Sequence, residues 1–69
     1  MENFQVRKKL AELRKRKNAT QQEIAEFLGY KTAKAYYELE SGRRELKVRH
    51  LEKLSNFFSV PIDYFFDDK

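Results

Sequence analysis

The side chains best equipped for chemistry in this chain are cations. Arg43 and Arg44 follow Gly42 directly, Lys31 and Lys34 precede them, and Arg14, Lys15, Arg16 and Lys17 form an unbroken run. Cations in separate segments attract a polyanion if folding brings them to one face. The groups needed for covalent chemistry are not assembled. There is no cysteine, His50 is the only imidazole, and Thr20 stands in no motif that would supply it with a base. A nucleophile–base pair, a metal-ligand set and a phosphate-cradling glycine loop are all missing. The chain therefore reads as a non-enzyme that needs neither metal nor cofactor.

Charge is distributed in blocks. Residues 1–19 hold seven Lys or Arg against two Glu, and residues 31–49 hold six against three. Between them, residues 20–30 carry only Glu23 and Glu26, and residues 50–69 are acidic, so the net charge is +4. A chain of 69 residues makes one domain, 1–69. Domains of this size bury only about 60% of their unfolded surface. Without disulfides, regular helix packing and self-association are the remaining sources of stability. No apolar stretch approaches the roughly 20 residues of a membrane span. The start, Met1-Glu2-Asn3-Phe4-Gln5, lacks the charged-then-apolar order of a secretion signal. These features lead us to expect a cytoplasmic protein.

Periodicity and caps predict five short helices joined by tight turns. In the first, Val6, Leu10 and Leu13 share a face, and Asn18 is a left-handed stop. Thr20-Gln21-Gln22-Glu23 is a capping box opening the second, with Ala19 and Ile24 as its hydrophobic staple. Ile24, Phe27 and Leu28 form the apolar face of that helix, and Gly29 ends it. Thr32 caps a third helix that buries Tyr36 and Leu39 and closes at Gly42. The fourth runs from Val48 to Phe58, with Val48, Leu51, Leu54 and Phe58 inward and His50 on the exposed side. Pro61 suits the start of a last short helix burying Ile62, Phe65 and Phe66.

Two short helices joined by a glycine-led turn, residues 20–42, form a helix-turn-helix when they cross steeply. A close crossing needs a small residue, and Ala25 stands there. This arrangement leaves the second helix free to enter a DNA major groove.

At this point the chain resembles the phage repressor and Cro family, the lambda repressor-like fold that also includes xenobiotic-response-element proteins. The resemblance covers residues 6–66. It is carried by Leu10-Ala11-Glu12-Leu13-Arg14, by Thr20 through Gly29, and by Leu39-Glu40-Ser41-Gly42-Arg43-Arg44. Leu51-Glu52-Lys53-Leu54 and Val60-Pro61-Ile62-Asp63 continue it in order and at the expected spacing.

The resemblance implies a fold and a set of roles. The fold would be an all-α bundle of five short helices, the second and third forming the helix-turn-helix. Lys34 and Glu38, with Ala33 and Tyr37 nearby, match positions that reach base edges. Gln21, the connection Lys31-Thr32, and Arg43 and Arg44 match phosphate-contacting positions. Arg14 and Glu40 match a partly buried ion pair between the first and third helices, while Lys47 stands where the family usually carries a Ser or Thr cap.

The aromatic residues of the carboxyl-terminal region exceed what so small a core needs, so Phe57, Tyr64, Phe65 and Phe66 are expected at a homodimer interface. One recognition helix reads too few base pairs for useful specificity, and two-fold pairing supplies a second on an inverted repeat. The reading is a double-stranded DNA-binding transcriptional regulator, a repressor that acts as a homodimer. A rival reading keeps the fold but binds mainly a protein partner, as an antitoxin-type module would.

Overall fold

The computed structural model describes residues 4–66. Met1, Glu2 and Asn3, read above for a secretion signal, and the terminal Asp67, Asp68 and Lys69 lie outside the described residues. The architecture is all-helical: α1 (Phe4–Arg16), α2 (Gln21–Phe27), α3 (Ala33–Ser41) and α4 (Val48–Phe58). A 3-10 turn over Ile62–Phe66 closes the described chain, so the fifth helix of the sequence reading is a 3-10 segment, not an α-helix. It opens directly after Pro61, whose carbonyl accepts from the Tyr64 N–H at 2.9 Å, the i to i+3 bond of a tightened turn.

Local signals account for most of the boundaries. The Thr20 Oγ1 accepts from the Glu23 N–H at 3.0 Å, and Glu23 accepts from the Thr20 N–H at 2.8 Å, a complete capping box. Asn18 takes a left-handed φ of 57°, which lets the Ala19 N–H turn back to the Arg14 carbonyl at 3.0 Å. Gly29 does the same after α2 at φ 92°, with the Tyr30 N–H bonded to Ala25 O at 2.8 Å. Ser59 ends α4 at φ 59°, an unusual conformation for a side chain without the Asn carboxamide.

The α4 start follows a different chemistry. Lys47 occupies the N-cap position but has no acceptor atom, so the cap-to-amide half of a box is impossible. The reciprocal half forms with an imidazole: the Lys47 N–H donates to His50 Nδ1 at 2.9 Å. His50 is only 8% exposed, which corrects its reading as a surface residue.

The core gathers Val6, Leu10 and Leu13 of α1 against Ile24, Ala25 and Leu28, Tyr36 and Leu39, and Leu51, Leu54 and Phe58. Ala25 is fully buried where α2 packs on α3, and α1 packs on both α3 and the 3-10 turn. Three inward expectations fail. Val48 is 60% exposed because Leu46, just before the helix, fills that end of the core instead. Phe27 is half exposed, its ring meeting Phe57 edge-on at 5.1 Å on the rim of the core. Phe66 points outward because its neighbour Phe65 takes the inward position of the 3-10 turn. Phe65, expected at a subunit interface, is enclosed in this chain's own core at 1% exposure.

Candidate nucleic-acid interface

The amphipathicity of α3 is the basis of the site. Tyr36 and Leu39 are completely buried and fix the helix by its inner side. At about 100° per residue, Lys34, Glu38 and Ser41 line up along the opposite side with Tyr37 beside them. Lys34, Tyr37 and Ser41 are exposed and Glu38 is half-buried. Ala33 is half-buried at the first turn, and Thr32 stands exposed at the N-cap with its hydroxyl making no capping hydrogen bond. Lys31 is exposed in the same turn, and Gln21 is half-buried at the start of α2.

The loop after α3 is organised by side chains from elsewhere. Gly42 at φ 94° turns the chain, and the Arg43 N–H returns to the Glu38 carbonyl at 2.9 Å. Arg44 donates to the Glu38 carboxylate at 2.8 Å, and its guanidinium lies 5.5 Å from the centre of the Tyr30 ring, a cation–π distance. The hydrogen bond from Arg44 lowers the Glu38 carboxyl pKa from its ordinary value, opposed next by desolvation and assisted by the charges of Arg44, Lys34 and Arg43. Arg7 of α1 donates to the Leu39 carbonyl and reaches the Arg44 carbonyl at 3.4 Å. A cation thus sits on the free carbonyls at the negative end of α3 and clips the loop to it.

Arg14 and Glu40 meet side-on: Arg14 Nε donates to one carboxylate oxygen at 3.0 Å and Nη2 to the other at 3.1 Å. This bidentate pair joins α1 to α3. The Glu40 hydrogen bond raises the Arg14 pKa further above its ordinary value. Burial, followed by the Glu40 charge, pushes the Tyr36 phenol up as well. The Tyr36 hydroxyl lies near enough to Glu40 for the carboxylate to act on it, but outside good hydrogen-bonding geometry.

Of the residues singled out from sequence, Ala33, Lys34, Tyr37, Glu38, Arg43 and Arg44 are drawn together along α3 and its following loop. Phe57 and Tyr64 are half-buried and lie at the other end of α4 and in the 3-10 turn, with Lys9 donating to the Tyr64 carbonyl at 3.1 Å. Three participants escaped sequence reasoning. Arg7 acts across 32 positions and leaves no local signal. Tyr30 follows Gly29 and reads only as connection. His50 was legible in principle, since an acceptor three residues after the cap is the second half of a capping box.

A single family comparison gives a match. Residues 10–65 fit the family model described as Helix-turn-helix. No curated protein and no solved structure matches the chain.

Proposed function

The chain belongs to the lambda repressor/Cro-like helix-turn-helix family, and from this premise we propose that it is a transcriptional repressor binding an inverted-repeat operator as a homodimer. The family is one of DNA-binding domains, and membership already indicates a DNA-binding helix-turn-helix domain. In this reading α3 enters the major groove with Lys34, Glu38, Ala33 and Tyr37 at the base edges. Gln21, Lys31, Thr32, Arg43 and Arg44 engage phosphates on either side.

The observation that carries the proposal is the two-sidedness of α3. Its inner side is locked by Tyr36 and Leu39, its outer side is presented to solvent, and an arginine pair follows at its end. A rigid helix with a free face and flanking cations suits backbone clamping plus base readout. Dimerisation would place two such helices about 34 Å apart. The exposed Phe66 and the half-buried Phe57 and Tyr64 supply the apolar contact in this reading.

One observation favours the protein-binding alternative. Tyr37 is 42% exposed and borders a groove of about 430 Å³ between α1 and α3, lined also by Arg7, Lys8, Ala11, Glu40 and Ser41. Backbone amide shifts on adding duplex DNA separate the two readings. Shifts concentrated in residues 31–44 support the DNA reading. An unchanged spectrum favours a protein partner on that groove.

A further inference from the structure

A second concavity lies away from the outer face of α3. A cavity of about 190 Å³ opens between the turn after α2 and the first half of α4, lined by Leu28, Tyr30, Arg49, His50 and Lys53. Except for Leu28, every lining side chain can donate a hydrogen bond. The His50 tautomer follows from its contacts. Nδ1 accepts from the Lys47 N–H, so the ring proton rides on Nε2, which faces the Tyr30 hydroxyl at 3.3 Å. Tyr30 Oη then accepts from His50, and its own proton is free to go to a guest.

The charged side chains lining this cavity, Arg49 and Lys53, are both cations. Arg49 and Lys53 stand one helical turn apart, both are exposed, and neither forms an ion pair among the described residues. Arg44 lies 5.5 Å from the Tyr30 ring centre but is paired with Glu38, and Lys47 stands at the N-cap position of α4. Burial first, then the charges of Arg49, Lys47, Arg44 and Lys53, depress the His50 pKa, and no carboxylate opposes them. A concavity with converging donors and uncompensated positive charge focuses potential on an anion. An oxyanion with several acceptor oxygens can engage arginine, lysine and phenol together.

We infer that this cavity seats a phosphate group, contacted by Arg49, Lys53 and the Tyr30 hydroxyl. On duplex DNA it would be a backbone phosphate beside those met by Arg43 and Arg44, and in that form the inference rests on the DNA-binding reading. The same chemistry would accept the phosphate of a small phosphorylated molecule.

His50 is the only histidine, so its ring resonances report on this cavity without overlap. Its pKa is to be measured by NMR in inorganic phosphate and in chloride at matched ionic strength, for the wild type and for the Arg49→Gln/Lys53→Gln double variant. Phosphate is expected to raise the wild-type value by roughly one unit and to leave the double variant unmoved. In parallel, the slope of log affinity against log salt for duplex binding is compared between the two proteins. A slope shallower by about one unit in the double variant identifies a backbone phosphate as the guest. A phosphate-sensitive His50 with an unaltered slope assigns the cavity to a free phosphorylated molecule. A His50 pKa indifferent to phosphate overturns the inference, whatever the duplex does. Failure of the wild type to bind any duplex would sink the DNA reading alone, because the phosphate titration still decides the cavity.

Discussion

The Glu38 carboxylate and the Arg44 guanidinium are joined by a 2.8 Å hydrogen bond in the free protein, so a proposed base-reading residue holds a proposed phosphate-contacting one. The pair lies at the edge where α3 meets its following loop, and both members are accessible to solvent. A phosphate drawing Arg44 away would leave Glu38 facing a polyanion. Glu38→Gln should therefore strengthen binding to non-operator duplex several-fold and steepen its salt dependence. Fluorescence anisotropy at several salt concentrations measures both. A loss confined to operators carrying one particular base is the mark of the proposed base readout, Glu38 accepting from a cytosine amino group.

The Arg14–Glu40 pair predicts a stability effect with no direct DNA component. Its side chains are largely covered, and the Tyr36 hydroxyl lies near Glu40. Removing Arg14 leaves Glu40 with no compensating charge beside a buried phenol. Arg14→Met should cost about 2–3 kcal/mol, between the values typical of exposed and of fully buried pairs. Urea unfolding followed by circular dichroism measures this, and an unchanged midpoint would reduce the pair to a surface contact.

His50 makes stability depend on pH with a definite sign. Its Nδ1 must be unprotonated to accept from Lys47, and burial with the surrounding cations lowers its pKa below the ordinary value. The stabilisation is therefore complete above the unfolded-state pKa of about 6.5 and is lost as pH falls through the lower folded-state pKa. His50→Gln keeps an acceptor at that position without a titrating group. Its stability should be flat over the window in which the wild type weakens, and a parallel decline would assign the pH effect to the carboxylates.

Much of this architecture was legible because its signals are local. Thr20 with Glu23, Asn18, Gly29 and Gly42 each settle a boundary through the chemistry of one turn, and Ala25 marks the helix crossing in advance. Rim positions were not legible. Val48 and Phe27 fall on an apolar period, yet helical spacing says nothing about where a neighbouring element ends, and Leu46 and Phe57 decide their exposure. Phe65 and Phe66 are adjacent aromatics, and only the geometry of the 3-10 turn sends one inward and the other out. On the interface, Lys34 and Tyr37 could be placed on the outer face of α3 from spacing alone. The Glu38–Arg44 pair and the Arg7 clip depend on loop geometry and long-range contact, which no window of sequence contains.

An exposed aromatic side chain leads to a prediction about assembly. Phe66 is 44% exposed and contributes little to this chain's own core. Phe66→Ser should leave thermal stability nearly unchanged while weakening self-association. Sedimentation equilibrium reports the monomer–dimer balance, and a dimer as tight as the wild type would place the interface elsewhere.

The most direct test of the account is selection from a random duplex library at two salt concentrations, followed by sequencing of the bound fraction. A dimeric operator binder enriches an inverted repeat whose half-sites lie about one helical turn apart, with affinity falling steeply as salt rises. Absence of binding at both salt concentrations would contradict that reading.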